Sequence, residues 1–246
     1  MTSTEETRKH GYRARIGYTS PMAATEVFPY EFYRMAPPGV TLVLSTMAVL
    51  ERTADEVDRS YDISLKAAKE IARTRIDLMV LGGVPINLAR NTDPEEQIRQ
   101  VERDIGVPVA TSITAQNDGL KKLGARKVAI GHPFTQDQNE KFKGYLTRYG
   151  YEVTAVKGAE YTGPTIGHMP QNMAFELGRA LKQMAPDTDT IWLPCPHWAM
   201  SDMIEPMERE LGVGVVGSLP SIVWHALRRC GVNDKIEGFG RLFREF

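Results

Sequence analysis

Cys195 and His197 stand two residues apart in Thr190-Ile-Trp-Leu-Pro-Cys-Pro-His-Trp-Ala-Met-Ser-Asp202, where a short apolar run gives way to a helical pattern. A parallel sheet exposes its reactive groups where a strand stops and the next helix starts. A thiol and an imidazole at such a junction suit proton transfer or nucleophilic attack. The plainer alternative for Cys195 is inert packing in a strand; its place at the end of the run favours chemistry. Cys230 lies beside a helix-ending glycine and reads as structural. His132 ends another apolar run, and His168 sits in a long loop. His225, within a helix, reads as structural, and His10 belongs to a polar lead-in.

Around these stand weaker candidates. Gly82-Gly83 closes an apolar run and offers a cradle for an anion, although it is no GxGxxG nucleotide fingerprint. Ser112, Thr114, Asn87 and Thr135 carry groups able to donate hydrogen bonds to a carboxylate. Val84, Pro85, Phe134 and Trp198 point to a partly apolar substrate.

The elements that must position these groups alternate along the chain. Strands are expected at 15–20 (stopped by Pro21), 40–46, 77–83, 107–111, 127–131, 152–156, 190–195 and 213–217, from β-branched apolar runs bounded by Gly and Pro. Helical periodicity fills the intervals, with Pro94 near one helix start and Gly124 closing another. Residues 157–170 form a Gly/Pro-interrupted loop, a candidate cover for an active site. Met200, Met203 and Met207 recur at helical spacing and read as core. Strict alternation predicts an α/β fold of parallel sheets flanked by helices.

The pattern also repeats. Asp77-Leu-Met-Val-Leu-Gly-Gly83 parallels Asp189-Thr-Ile-Trp-Leu-Pro-Cys195, and Gly106-Val-Pro-Val-Ala-Thr-Ser112 parallels Gly212-Val-Gly-Val-Val-Gly-Ser218. Two pseudo-symmetric lobes are expected, each with a parallel four-stranded sheet. One takes residues 1–115 with 220–246, the other 116–219, with positions 83 and 195 on opposite lips of an active-site cleft.

Composition bounds the function. Lys plus Arg number 30 against 31 Asp plus Glu, so the net charge of −1 gives no global attraction to nucleic acid or anionic membrane. No apolar run approaches the roughly 20 residues of a membrane span, and the polar N-terminus has no apolar signal core. Two cysteines are too few for a disulfide scaffold, which points to a reducing, cytoplasmic setting. There is no CxxC, HExxH or other paired His/Cys spacing for a metal.

The first strand ending at Pro21, the paired strand ends at 83 and 195, Gly131-His-Pro-Phe-Thr-Gln-Asp-Gln-Asn139 and the closing Gly238-Phe-Gly-Arg-Leu242 resemble the aspartate/glutamate racemase superfamily. Their order and spacing are similar to its branch of arylmalonate decarboxylases and maleate cis-trans isomerases. The resemblance implies chemistry without cofactor or metal. In the superfamily two cysteines usually face each other across the substrate carbon. The decarboxylase keeps only the second and has glycine at the first, an arrangement similar to Gly83 and Cys195 here. By the same resemblance, Pro21, Gly83, Val84, Pro85, His132, Phe134, Pro196, Ser112 and Thr114 are the expected substrate-binding positions, with Cys195 and His197 catalytic. Cys195-Pro-His197 is also similar to the Cys-Thr-His of glutamate racemase, whose histidine assists its cysteine.

The sequence departs from these relatives where hydroxyl groups and backbone N–H groups hold the decarboxylase's carboxylate: Val84 and Pro85 stand there, and proline has no N–H. Phe134 replaces a tyrosine, and Met22-Ala23-Ala24 replaces the isomerase asparagine. The leading expectation is a cofactor-independent decarboxylase acting on a small carboxylate or dicarboxylate through an enolate protonated by one cysteine. The alternatives are a cis-trans isomerase or racemase of a small acid, with a histidine replacing the missing thiol, and a non-catalytic protein that binds a small acid. The expected partner is a small carboxylate, with a homo-oligomer left open.

Overall fold

The computed structural model describes residues 10–246 apart from 24, 52, 89, 91, 92 and 162; the first nine residues of the polar lead-in and Ala24 therefore lie outside the described residues. The chain forms two units, Met1–Ala115 with His225–Asp234, and Gln116–Trp224 with Lys235–Phe246. Among the described residues no helix is long and apolar enough to cross a membrane.

The first unit holds β1 (Ala14–Met22), α1 (Val27–Met35), β2 (Val40–Val49), α2 (Ala54–Ala72), β3 (Leu78–Leu81), α3 (Val84–Asn87), α4 (Pro94–Ile105) and β4 (Val109–Thr111). Its sheet runs β2-β1-β3-β4, all parallel. The helices start where the sequence supplies caps. Thr53 accepts Glu56 N–H at 3.2 Å ahead of α2, and Asp93 accepts Glu95 N–H at 2.8 Å ahead of α4. One face of the sheet closes on α2 and α4 through Ala68, Ile71, Met79, Leu81, Val101 and Val109.

The second unit holds β5 (Lys127–His132), α6 (Asn139–Arg148), β6 (Glu152–Gly158), α7 (Asn172–Met184), β7 (Thr190–Leu193), α8 (Ser201–Leu211), β8 (Gly214–Gly217) and α10 (Arg241–Glu245). Between the two sets, α5 spans Ser112–Leu123, and the boundary of the units falls within it. After β8, α9 (Ser218–Arg229) carries the chain back to the first unit. The second sheet runs β6-β5-β7-β8, again all parallel. The two orders are the same, so the repeat in the sequence corresponds to β3 with β7 and β4 with β8. All four residues of β3 and of β7 are buried, which is why both read as unbroken apolar runs.

Three expectations are modified. Pro21 does not stop β1: the strand continues to Met22, with a register shift between Ser20 and Met22. Proline cannot donate to a ladder, so pairing skips past it. The interval 157–170 is partly ordered, because β6 runs to Gly158 and a 3-10 turn spans Gly163–His168. The C-terminal segment divides, since only residues 225–234 group with the first unit. Residues 235–246 group with the second unit instead, where Arg241 N–H donates to Glu208 at 2.8 Å and α10 buries Leu242 and Phe243.

Glu208 illustrates a device used twice. Glu102 on α4 accepts the N–H of Val109 at 2.9 Å, and Glu208 on α8 accepts that of Val215 at 3.3 Å. Each carboxylate thereby satisfies a donor on an edge strand that would otherwise lack a partner. Burial pushes the Glu208 carboxyl above its ordinary value of 4.5, opposed by its two backbone donors. The folded state then holds a proton that the unfolded chain has already released, so this group's contribution to stability falls as pH rises above about 4.5. Denaturant unfolding across pH 4 to 7 is expected to show a shallower fall for Glu208→Gln than for the wild type. An identical slope in the two proteins contradicts this assignment.

Candidate functional site

In both sheets the strand order reverses next to the first strand, between β1 and β3 and between β5 and β7, and ligands of open α/β sheets bind at the carboxyl ends there. Pro21, Gly83 and Ser112 lie at or just past the carboxyl ends of β1, β3 and β4, and His132 and Cys195 at or just past those of β5 and β7.

In the first unit the ends of β1, β3 and β4 meet. Thr19 Oγ1 accepts Gly82 N–H at 3.1 Å and pairs with Ser64 Oγ of α2 at 2.9 Å. A Cβ on Gly82 would lie 1.9 Å from the Thr19 carbonyl oxygen, so no side chain fits. Gly83 has φ 83°, and a Cβ there would lie 3.0 Å from Pro21 Cβ. The backbone of β3 thus turns tightly against β1 and brings Pro21 and Gly83 into contact. Gly83 N–H donates to Ser112 Oγ at 3.0 Å, which adds the end of β4 to the cluster.

The other candidates here are placed differently. Val84 is buried and Pro85 half-buried in the single turn of α3, with proline in its first positions. Asn87 donates through Nδ2 to the Leu81 carbonyl at 3.2 Å, while its Oδ1 is buried without a partner among the described residues. Thr114 is engaged locally: its hydroxyl accepts Thr111 N–H at 3.1 Å and donates to the Thr111 carbonyl at 3.1 Å. The sequence reading missed Ser20. Its hydroxyl, fully buried at the end of β1, has no partner among the described residues.

In the second unit Cys195 lies just past β7 and is 2% exposed. Its N–H turns back to the Leu193 carbonyl at 3.0 Å. Pro196, His197 and Trp198 follow, all buried, and α8 begins at Ser201. β7 is anchored from beneath, because Trp192 Nε1 donates to Gln116 Oε1 of α5 at 2.8 Å.

His132 ends β5, fully buried, with its ring 4.6 Å from that of Phe142 and 5.9 Å from that of Phe134. Its Nε2 pairs with Asn139 Oδ1 at 2.8 Å; Asn139 Nδ2 donates to Gln136 Oε1 at 2.9 Å, and Gln136 Nε2 to the Gly158 carbonyl at 3.1 Å. Because the Asn139 amide donates to Gln136, its oxygen faces the imidazole, and His132 Nε2 is the donor of that pair. Thr135 donates to Asp137, and His168 is exposed. Neither cysteine is in a disulfide. Burial, with a smaller push from Asp77, raises the Cys230 thiol to about 11, so at neutral pH it stays protonated.

A 2-1-3-4 parallel sheet occurring twice, with one thiol at a strand end, defines the class: this is the fold of the arylmalonate decarboxylases and maleate isomerases of known structure. The chain belongs to the arylmalonate decarboxylase family, whose model matches residues 16–243. It is 28% identical to arylmalonate decarboxylase of Bordetella bronchiseptica over 233 residues, 94% of this chain and 96% of that one. A variant of arylmalonate decarboxylase solved in a liganded form superposes with a TM-score of 0.84 at 26% identity, covering 95% of this chain and all of that one. The maleate cis-trans isomerase of Nocardia farcinica, solved bound to TRIS, shares the fold with a TM-score of 0.85 at 19% identity, over 94% of this chain and 98% of that one. Its homologues are enzymes, decarboxylase and isomerase alike.

Proposed function

We propose that the protein is a cofactor-independent decarboxylase of a small malonate-type dicarboxylate, in which Cys195 protonates the enolate left by carbon dioxide loss. The observation that carries this reading is the unequal pair of strand ends: a buried thiol past β7 and, at the corresponding place past β3, a glycine with φ 83° that carries no side chain. A single acid suits protonation of a planar carbanion, whereas a two-base racemase needs a second.

In the proposed step the bond from the α-carbon to one carboxylate breaks and its electron pair enters an enediolate. Carbon dioxide leaves, and the Cys195 S–H transfers its proton to the α-carbon. The resulting thiolate recovers a proton from water, with His197 as the nearest imidazole in sequence to relay it. Phe134, buried in the same unit as Cys195, favours an aryl or alkyl substituent over a charged group.

Incubating the protein with arylmalonates, maleate and amino acids in deuterium oxide tests the assignment. Carbon dioxide release with one deuterium at the α-carbon is expected from arylmalonates. Conversion of maleate to fumarate alone makes Cys195 an isomerase group, the activity named for the Nocardia farcinica relative that is 27% identical over 138 residues. No turnover, with binding intact in Cys195→Ala, makes the protein a binder of small acids.

A further inference from the structure

The repeat exposes a difference between two serines. Ser112 follows Thr111, the ladder partner of Leu81, and Gly83 lies two residues past Leu81. Ser218 likewise follows Gly217, the partner of Leu193, and Cys195 lies two residues past Leu193. The two serines therefore hold the same station beside the two key strand ends. In the first unit the hydroxyl of Ser112 accepts Gly83 N–H at 3.0 Å. In the second, Cys195 N–H is spent on the Leu193 carbonyl at 3.0 Å. Ser218 Oγ is fully buried and has no hydrogen-bond partner among the described residues. Burying an unsatisfied hydroxyl costs free energy, and such a group in a native site calls for an occupant.

We propose that Ser218 donates its hydroxyl to a carboxylate oxygen of the substrate and stabilises the enediolate as it forms, so that it is a catalytic residue of the decarboxylation. This rests on the reading of Cys195 given above, and Cys195 lies in the same unit as Ser218. Charge complementarity favours an anion there, because Ser218 also opens the twelve-residue α9, whose N-terminal end is positive. The group recognised is an oxyanion on a carbon two bonds or fewer from the proton-accepting centre, as in a malonate or its enediolate.

Ser218→Ala and Ser112→Ala, with Ser218→Cys as a near-isosteric weaker donor, test the proposal through kcat and KM on phenylmalonate, with thermal unfolding alongside. Removing a donor to a developing oxyanion lowers kcat by about 10²-fold, so that loss is expected for both Ser218 variants. The melting temperature of Ser218→Ala is expected to be unchanged or higher, because no bond in the resting protein is lost. Ser112→Ala is expected to melt lower, since it strands Gly83 N–H. Wild-type turnover with both Ser218 variants within twofold in kcat overturns the role of Ser218 and leaves that of Cys195 standing. A loss of activity that tracks a fall in melting temperature also overturns it. Absence of phenylmalonate turnover by the wild type overturns the decarboxylase reading itself, and the role of Ser218 with it.

Discussion

Cys195→Ala is expected to lose between about 10² and 10⁴ in kcat on the turned-over malonate, the range for a positioned general acid. The thiol is 2% exposed, so the substitution deletes one buried sulfur. Losing a group of that size costs about 1 kcal/mol, which lowers the melting temperature of a chain this long by about 2–4 °C. A large catalytic loss with a small thermal one separates a chemical role from a packing role. Retained activity in Cys195→Ala, or a collapse of the fold, returns Cys195 to the inert alternative. Burial holds the Cys230 thiol up at about 11, which makes it a weaker acid than an ordinary thiol.

Gly82→Ala is expected to be the most disruptive single methyl addition among the strand-end glycines. Its Cβ would sit 1.9 Å from the Thr19 carbonyl oxygen and 2.8 Å from the Tyr18 ring, so β1 and β3 must part at their carboxyl ends. The Thr19 oxygen is backbone and cannot rotate away, unlike the flexible Met207 side chain that faces Gly178. Overpacking of this kind costs about 3 kcal/mol or more, equivalent to a fall of about 6–12 °C in melting temperature. Parting the strands also displaces Gly83 from Ser112, so activity is expected to fall in whatever fraction remains folded. Thermal unfolding by circular dichroism checks the first effect. A melting temperature within 2 °C of the wild type contradicts the tight β1–β3 junction.

Much of this architecture was legible in the residues because parallel strands buried on both faces leave an unbroken apolar run, as in Leu78–Leu81 and Thr190–Leu193. The repeat was legible because the same backbone problems recur. Gly106 and Gly212 end α4 and α8 in left-handed conformation at φ 68° and 63°, ahead of the corresponding strands β4 and β8. Pro21 misled because a proline in an extended run usually ends it, whereas here β1 shifts register around it. The tail divided because its anchor, Arg241 N–H to Glu208, joins residues 33 apart and leaves no local pattern. Thr114 and Ser112 looked alike as hydroxyl donors. Thr114 closes a turn on Thr111, while Ser112 reaches Gly83 across 29 residues of chain. The unsatisfied hydroxyls of Ser20 and Ser218 left no signal at all, because the lack of a partner is a property of three dimensions.

The single-acid mechanism is tested most directly by the stereochemistry of α-methyl-α-phenylmalonate decarboxylation in deuterium oxide. Protonation by one thiol from one side predicts a single enantiomer of 2-phenylpropionate with one deuterium at the α-carbon, formed by the wild type and not by Cys195→Ala. A racemic product from the wild type, or the same enantiomer formed at an undiminished rate by Cys195→Ala, contradicts it.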